Sequence, residues 1–327
     1  MTEIASTTID FLILSHNRCQ KICKLINHLY QIPCPSNVKF CIYVIDDASA
    51  YDTVQEIKKM QINFINLYLF KNDKNKGTFY NRWFILTQAK SDYIFFIDDD
   101  DDISDNLLIE FSKHVNCDLI RTIRKFIDGQ KSYIKFSNLY SSIKEPIDML
   151  YKLNLGYITG SFISKFVYLK ILDVLKEMGD IKNIHVNILE DTFYFYLMIN
   201  FCKNFTFIDS YYDYYVESNG LSVATKKNDS NADALKIWNL LTNIKEILIN
   251  KHSYNVPVSL TKINLWYLMW VGCGRSQLKS LYHLIKETNL NAVKNINFKN
   301  KLKCILLQFN LTYLLLSYFV RPFLKIK

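Results

Sequence analysis

"YIFFIDDDDD" fills residues 93–102, an apolar, aromatic-rich run that ends abruptly in five consecutive aspartates. A short continuous apolar run closed by polar residues is the pattern of a strand buried on both faces. Three similar runs precede it, at residues 9–14, at 39–45 ("KFCIYVI") and at 65–70 ("INLYLF"). The segments between them have helical spacing. Residues 19–30 set Ile22, Leu25, Ile26 and Leu29 on one stripe, and 53–60 and 79–89 are of the same kind. Strands alternating with helices at this interval predict an α/β fold: a mostly parallel sheet, helices on both faces, right-handed crossovers. Such sheets take their ligands at the carboxyl ends of the strands.

Those ends are polar. The first strand runs into Ser15, His16, Asn17 and Arg18, the second into Asp46, Asp47, Ala48 and Ser49, and the fourth into Asp98–Asp102. Each cluster alone has a plain structural reading. Five adjacent carboxylates repel one another, so the run is either a solvated loop or the partner of something positive. "DDAS" is a turn with a helix cap as readily as a site. Three such clusters at one edge of one parallel sheet are what a nucleotide-and-metal site requires.

Composition sets wider limits. Half of the 327 residues are hydrophobic, which excludes a disordered chain. The net charge of +9 is unevenly spread: residues 1–220 hold 24 Lys and Arg against 27 Asp and Glu, whereas 221–327 hold 16 against 4. One part is thus suited to a cation or substrate and the other to an anionic partner, with a membrane surface, a phosphorylated acceptor and nucleic acid all admitted by charge. The eight cysteines show no zinc spacing. Cys19 and Cys23 are i,i+4 without a second pair, so buried free thiols in a reducing compartment are expected. "MTEIASTTID" has no basic stretch followed by an apolar one, so no secretion leader is read and a cytoplasmic location is expected.

Five blocks in order carry a resemblance: "FLILSHNR" (11–18), "YVIDDASAYDT" (43–53), "NKGTFYNRWFILTQAKSDYIFFIDDDDDIS" (75–104), "LEDTFYFYLMI" (189–199) and "IDSYYDYY" (208–215). Over about the first 220 residues the chain resembles a family 2 glycosyltransferase of the GT-A fold, a Rossmann-like nucleotide-sugar-binding domain. The "KGTFYNR" block is similar to bacterial enzymes that build lipooligosaccharide or capsule. The resemblance implies domains at 1–222 (catalytic) and 223–327 (a basic helical region). It also implies an inverting, metal-dependent transfer of a hexose or N-acetylhexosamine from a UDP-sugar to a cell-surface saccharide or lipid-linked saccharide acceptor.

The same resemblance assigns roles. Asp98 and Asp100 fill the Asp-x-Asp pattern that holds Mn²⁺ or Mg²⁺, with Asp100 the foremost ligand and Asp98 or Asp99 touching ribose or a metal-bound water; hard cations take carboxylate oxygen. Asp101 and Asp102 are expected to cap a helix beginning near Ser104. Asp47, beside Asp46, matches the carboxylate that accepts the N–H of uracil, and Ser15, His16 and Asn17 match the loop lining the base. His16 stands where tyrosine is common; it either stacks on the base or is a loop histidine bonded to a backbone carbonyl. Gly77 and Arg82 match a block reading glycine, four residues, then Arg-Asn. Arg82 either contacts base or diphosphate or pairs with a strand-end aspartate. Asp191 matches the catalytic base, with Glu190 as the alternative; an acidic pair also suits any helix N-terminus.

The sequence departs from the family at three places. Trp83 replaces the usual Asn and Ile85 a common Gly, both changes that read as helix packing. No histidine follows the tyrosine-rich strand, where the polar groups are Glu217, Ser218 and Asn219. Beyond 233 the chain reads as helices ending in a run at 304–320, whose 17 residues, with Gln308 and Asn310, fall short of a membrane span. Its flanking lysines suit an interfacial helix on the cytoplasmic face of an anionic membrane, or a core helix with a basic rim. No nucleic-acid module is recognisable, so nucleic acid is not expected as a partner. Two rivals remain: a nucleotidyltransferase, although "LSHNRCQ" contains no glycine for a phosphate loop, and a non-catalytic nucleotide-sugar-binding protein of the same fold.

Overall fold

The computed structural model describes residues 6–216, apart from 51–52, 62–65, 135–139, 142, 147–148, 150–156 and 188–189, together with single positions between 233 and 248. The chain divides into two compact units, residues 1–146 with 156–218, and residues 147–155 with 219–327.

The first unit begins as the alternation predicts. β1 (Thr7–Ser15), α1 (Cys19–Gln31), β2 (Val38–Asp46), α2 (Thr53–Gln61), β3 (Leu67–Lys71), α3 (Thr78–Gln88) and β4 (Tyr93–Asp98) follow in order. The four strands lie parallel as β3-β2-β1-β4. β1 is buried along most of its length, so it needs cover on both faces. On one face Ile9, Phe11 and Ile13 join the α1 stripe of Ile22, Leu25, Ile26 and Leu29 in a single core. Register matters for function: Ser15 is opposite Asp46, and Leu14 is opposite Asp98. All three polar strand ends therefore finish at one level.

The second half of the unit is mixed. β5 (Asp102–Ile103), α4 (Leu107–Ser112), β6 (Leu119–Asp128), β7 (Lys131–Ile134), β8 (Ser161–Ser164), α5 (Lys165–Glu177), α6 (Glu190–Phe201) and β9 (Phe205–Tyr215) extend the sheet to β3-β2-β1-β4-β8-β6-β9-β5, with β7 paired to β6. β8 runs antiparallel to β4 and β6, whereas β9 is parallel to β6. One residue inside an apolar run proves structural. Asp10 of β1 is 1 % exposed and accepts hydrogen bonds from Lys90 N at 2.7 Å, Ser91 N at 3.0 Å and Ser91 Oγ at 2.6 Å, fixing the turn into β4. A buried carboxylate with three donors is tolerated where an unpaired one is not.

In the second unit, Ile237, Leu241, Ile244 and Leu248 are helical and buried, at the four-three-four spacing of one helix face. The 304–320 run and residues 217–219 lie outside the described residues. No helix among the described residues is long and apolar enough to cross a membrane. The described cysteines are free thiols, but only Cys202 is buried; Cys34 is exposed and the others are half-buried. This corrects the expectation of buried thiols, because α1 sets Cys19 and Cys23 beside its core stripe rather than in it.

Candidate active site

The loops after β1 and β2 are locked to each other. Asp47 N donates to Ser15 O at 2.9 Å. Asn17 N donates to Ser49 Oγ at 2.9 Å, and Asn17 Oδ1 accepts from Ala50 N at 2.7 Å. Asn17 and Ala48 both sit at φ 57, left-handed backbone that a non-glycine residue holds only where its surroundings enforce it. Asp46 is fully buried and accepts from Ser49 N at 3.2 Å and from the Ser49 hydroxyl, closing the turn. His16 Nδ1 lies 2.8 Å from Asp47 O and its Nε2 lies 2.9 Å from Asn17 Nδ2. The carbonyl demands a proton on Nδ1, which leaves Nε2 to accept from the amide.

Asp47 ties in a third loop. Its carboxylate accepts from Asn72 Nδ2 at 2.8 Å, Lys76 N at 2.8 Å and Gly77 N at 3.0 Å. Gly77 begins α3 at φ 82, and a Cβ there would lie 2.8 Å from Asn187 Oδ1 and 3.1 Å from Val186 O. Gly77→Ala is therefore expected to cost about 1–3 kcal/mol through backbone strain and crowding. A thermal melt that leaves the transition unmoved would contradict this.

Every member of the aspartate run has a partner. Arg18 reaches Asp99 Oδ1 at 2.8 Å and Asp100 Oδ2 at 3.0 Å. Asp101 Oδ1 accepts from Tyr215 N at 3.1 Å. Asp102 Oδ1 meets His28 Nδ1 at 2.5 Å, and His28 Nε2 meets Asp105 Oδ1 at 2.8 Å. The helix-capping role expected of Asp101 and Asp102 is thus corrected. Asp102 opens β5 against β9, and α4 starts only at Leu107 after Asn106. The run is not a solvated loop. Burial pushes the Asp99 carboxyl up to about 6 against the pull of Arg18, and raises Asp100 and Asp101 as well. A cavity of about 250 Å³ opens beside it, lined by Lys21, Lys24, Asp100, Asp102, Gly129 and Tyr215 among others.

Arg82 joins this run to the acidic pair. It projects from α3 and is 2 % exposed, with its guanidinium 5.4 Å from the Phe96 ring. Its Nη2 lies 3.0 Å from Asp98 Oδ1 and 3.0 Å from Asp191 Oδ1, and its Nε lies 3.3 Å from Glu190 Oε1. Burial opposes the Arg82 charge, but the Asp191, Asp98 and Glu190 carboxylates outweigh it and raise the pKa. Glu190 and Asp191 open α6, and Glu190 is 5 % exposed. Burial, reinforced by Asp191, pushes Glu190 up to about 8; burial raises Asp191 too, opposed by Arg82. The two carboxyls thus titrate as a pair, both raised by burial, with Arg82 favouring the charged form of each. Beside Arg82, Ile85 is fully buried and Trp83 packs on Tyr80 at 5.4 Å between ring centroids.

The structure thus places Ser15, His16, Asn17, Asp46, Asp47, Gly77, Arg82, Asp98, Asp99, Asp100, Glu190 and Asp191 in one unit, linked by contacts that run from Asp47 through His16 to Asp99 and from Asp98 through Arg82 to Asp191. Sequence reasoning missed Tyr212, whose hydroxyl accepts from Asp98 N at 3.1 Å, and the buried arginines Arg121 and Arg124 of β6. Two arginines in the otherwise β-rich "LIRTIRKFI" were the available signal.

Residues 10–164 match the family model described as Glycosyl transferase family 2. Among solved structures, S. aureus TarS 1-349 in complex with UDP-GlcNAc is similar at 14% identity, covering 91% of this chain and 88% of that one, with a TM-score of 0.63. The longer crystal structure of S. aureus TarS is similar at 15% identity over 91% of this chain and 53% of that one, TM-score 0.60. At that identity the likeness is one of fold, the GT-A arrangement. No curated protein sequence matches.

Proposed function

Since the chain is a glycosyltransferase with a family 2 domain over residues 10–164, we propose that it moves a hexose or N-acetylhexosamine from a UDP-sugar to a saccharide acceptor, with inversion and with a divalent cation. The observation that carries this is the Arg82 clasp, which fixes Asp98 of the aspartate run and Asp191 of the acidic pair on a single nitrogen.

The donor set suits a cation. Asp98 and Asp100 keep partly exposed side chains, 32 % and 19 %, and Asp100 borders open volume. Among the described residues no three His, Cys, Asp or Glu side chains form a closed cage. Mg²⁺ in phosphate chemistry is held in that way, by one or two carboxylates with substrate phosphates completing the shell. When bound, the cation neutralises charge on the departing diphosphate.

The protein's own groups do the rest. Asp191 accepts the proton of the attacking hydroxyl, and Arg82 holds that carboxylate in place while favouring its charged form. One base and one displacement give inversion. An ionised carboxylate offers about four lone-pair sites, and Asp47 uses three on the 72–77 loop. One remains for a ring N–H, which uracil has and cytosine lacks. That S. aureus TarS was crystallised with UDP-GlcNAc supports a UDP-linked donor. The basic region at 221–327 fits a cytoplasmic enzyme resting on the membrane surface where a lipid-linked acceptor is presented.

Calorimetry tests the donor site. UDP should bind in Mn²⁺ and lose at least about tenfold in affinity with EDTA or in Asp100→Asn, as for other lost metal-site groups. Equal affinity with and without the cation would remove the metal from the mechanism.

A further inference from the structure

Arg121 and Arg124 stand three apart on β6, a spacing that in a regular strand sends side chains to opposite faces. The pairing of β6 with β9 shifts register between Arg121 and Ile123, and this bulge re-aims the strand. Both guanidiniums consequently pack on the Tyr157 ring, Arg121 at 5.7 Å and Arg124 at 3.3 Å. Phe195 flanks Arg121 at 5.2 Å, and Tyr212 and Tyr214 flank Arg124 at 5.1 and 5.0 Å. The residues are 2 % and 7 % exposed.

Their hydrogen bonding is incomplete. Arg121 Nη1 donates to Tyr157 O at 3.2 Å, Arg124 Nη2 donates to Thr159 Oγ1 at 2.5 Å, and Arg121 Nε is buried with no acceptor among the described residues. Neither arginine forms an ion pair with a described carboxylate, in contrast to Arg18 and Arg82. Burial, with the neighbouring Arg124 charge adding to it, pushes Arg121 down to about 10, whereas Tyr157, Tyr212, Asp101 and Asp191 outweigh burial at Arg124 and raise it. Two adjacent buried cations are costly unless an anion completes them.

Their place in the sheet says which anion. The nucleotide loops follow β1 and β2, on one side of β4, whereas β6 lies beyond β8 on the other. Asp191 feels both Arg82 and Arg124. Arg124 also draws on Asp101 of the aspartate run, so the pair belongs to the same polar centre as Asp191. We propose that Arg121 and Arg124 together grip an anionic group, phosphate or carboxylate, carried by the acceptor near the hydroxyl that is attacked. Planar guanidinium forks suit both groups, and aromatic walls hold the forks in orientation. The inference rests on Asp191 being the base of the transferase.

The test uses the full chain saturated with UDP and Mn²⁺ and titrated by calorimetry with glycerol 3-phosphate, with inorganic phosphate, and with glycerol as the neutral control. Phosphate and its ester should bind the UDP complex and glycerol should not. Arg121→Lys and Arg124→Lys keep the buried charge and so the fold, but lose the fork; each should weaken the ester by about tenfold while UDP affinity moves less than about twofold. Ester affinity unchanged in both lysine variants overturns the proposal, as does ester that binds only when UDP is absent, which would assign the anion to the donor diphosphate. UDP binding to the wild-type chain reports separately on the donor site.

Discussion

Asp191→Asn is expected to lower turnover by about 10²–10⁴-fold, the usual contribution of a positioned general base, with UDP affinity almost unchanged. Asparagine has the shape of aspartate and none of its basicity. The oxygen that meets Arg82 at 3.0 Å can stay in place while proton transfer fails. The pH profile adds a second check. Burial raises Asp191 above the ordinary range near 3.9, so turnover should climb with pH through that raised value as the carboxylate ionises. Glu190, pushed up to about 8, holds its proton over most of that range, and Glu190→Gln imitates this form. Steady-state rates of UDP release decide between them. A larger loss in Glu190→Gln than in Asp191→Asn would move the base to Glu190.

Arg82→Met should be the most destabilising substitution among the charged residues of the site. Methionine fills the apolar volume against Phe96 but leaves Asp98, Glu190 and Asp191 without the cation they share. Breaking a buried ion pair from one side costs about 3–5 kcal/mol, on the order of 10 °C in melting temperature for a chain of this size. The sign of the pH dependence follows from the same carboxylates. Without Arg82 the folded-state pKa values of Glu190 and Asp191 rise further above the unfolded ones, so protons bind the folded state more strongly. Stability is then best retained at low pH and lost as pH rises through those values. The deficit should be larger at pH 8 than at pH 5. Arg82→Lys should recover part of it, because one ammonium cannot span three carboxylates. A melt unaffected in either variant would mean that the clasp contributes nothing to the fold.

The parallel half of the sheet was legible because local pattern determines it. Strand runs at 39–45 and 93–97 end in carboxylates, and the Ile22, Leu25, Ile26, Leu29 stripe has the period of a helix buried on one side. That the polar ends at Ser15, Asp46 and Asp98 come together was legible for the same reason, since strand ends in such a sheet lie side by side. The partners were not. Arg82 meets Asp98 and Glu190 across 16 and 108 residues, and only the packing of α3, β4 and α6 brings them together. Asp10 looks like a blemish in an apolar run until Ser91 folds back onto it. The fate of Asp102 depends on β9, more than a hundred residues later, and the shared face of Arg121 and Arg124 depends on a bulge that no period reveals.

The bonds among Asn17, Ser49, Ala50, Asp47 and the 72–77 backbone mean that three connecting segments are held as one piece. Grafting just one of them from a relative that uses a different nucleotide would orphan acceptors in the other two. Donor preference in this scaffold should therefore be exchangeable only as a block of all three, and chimeras that swap a lone segment should express poorly rather than change specificity.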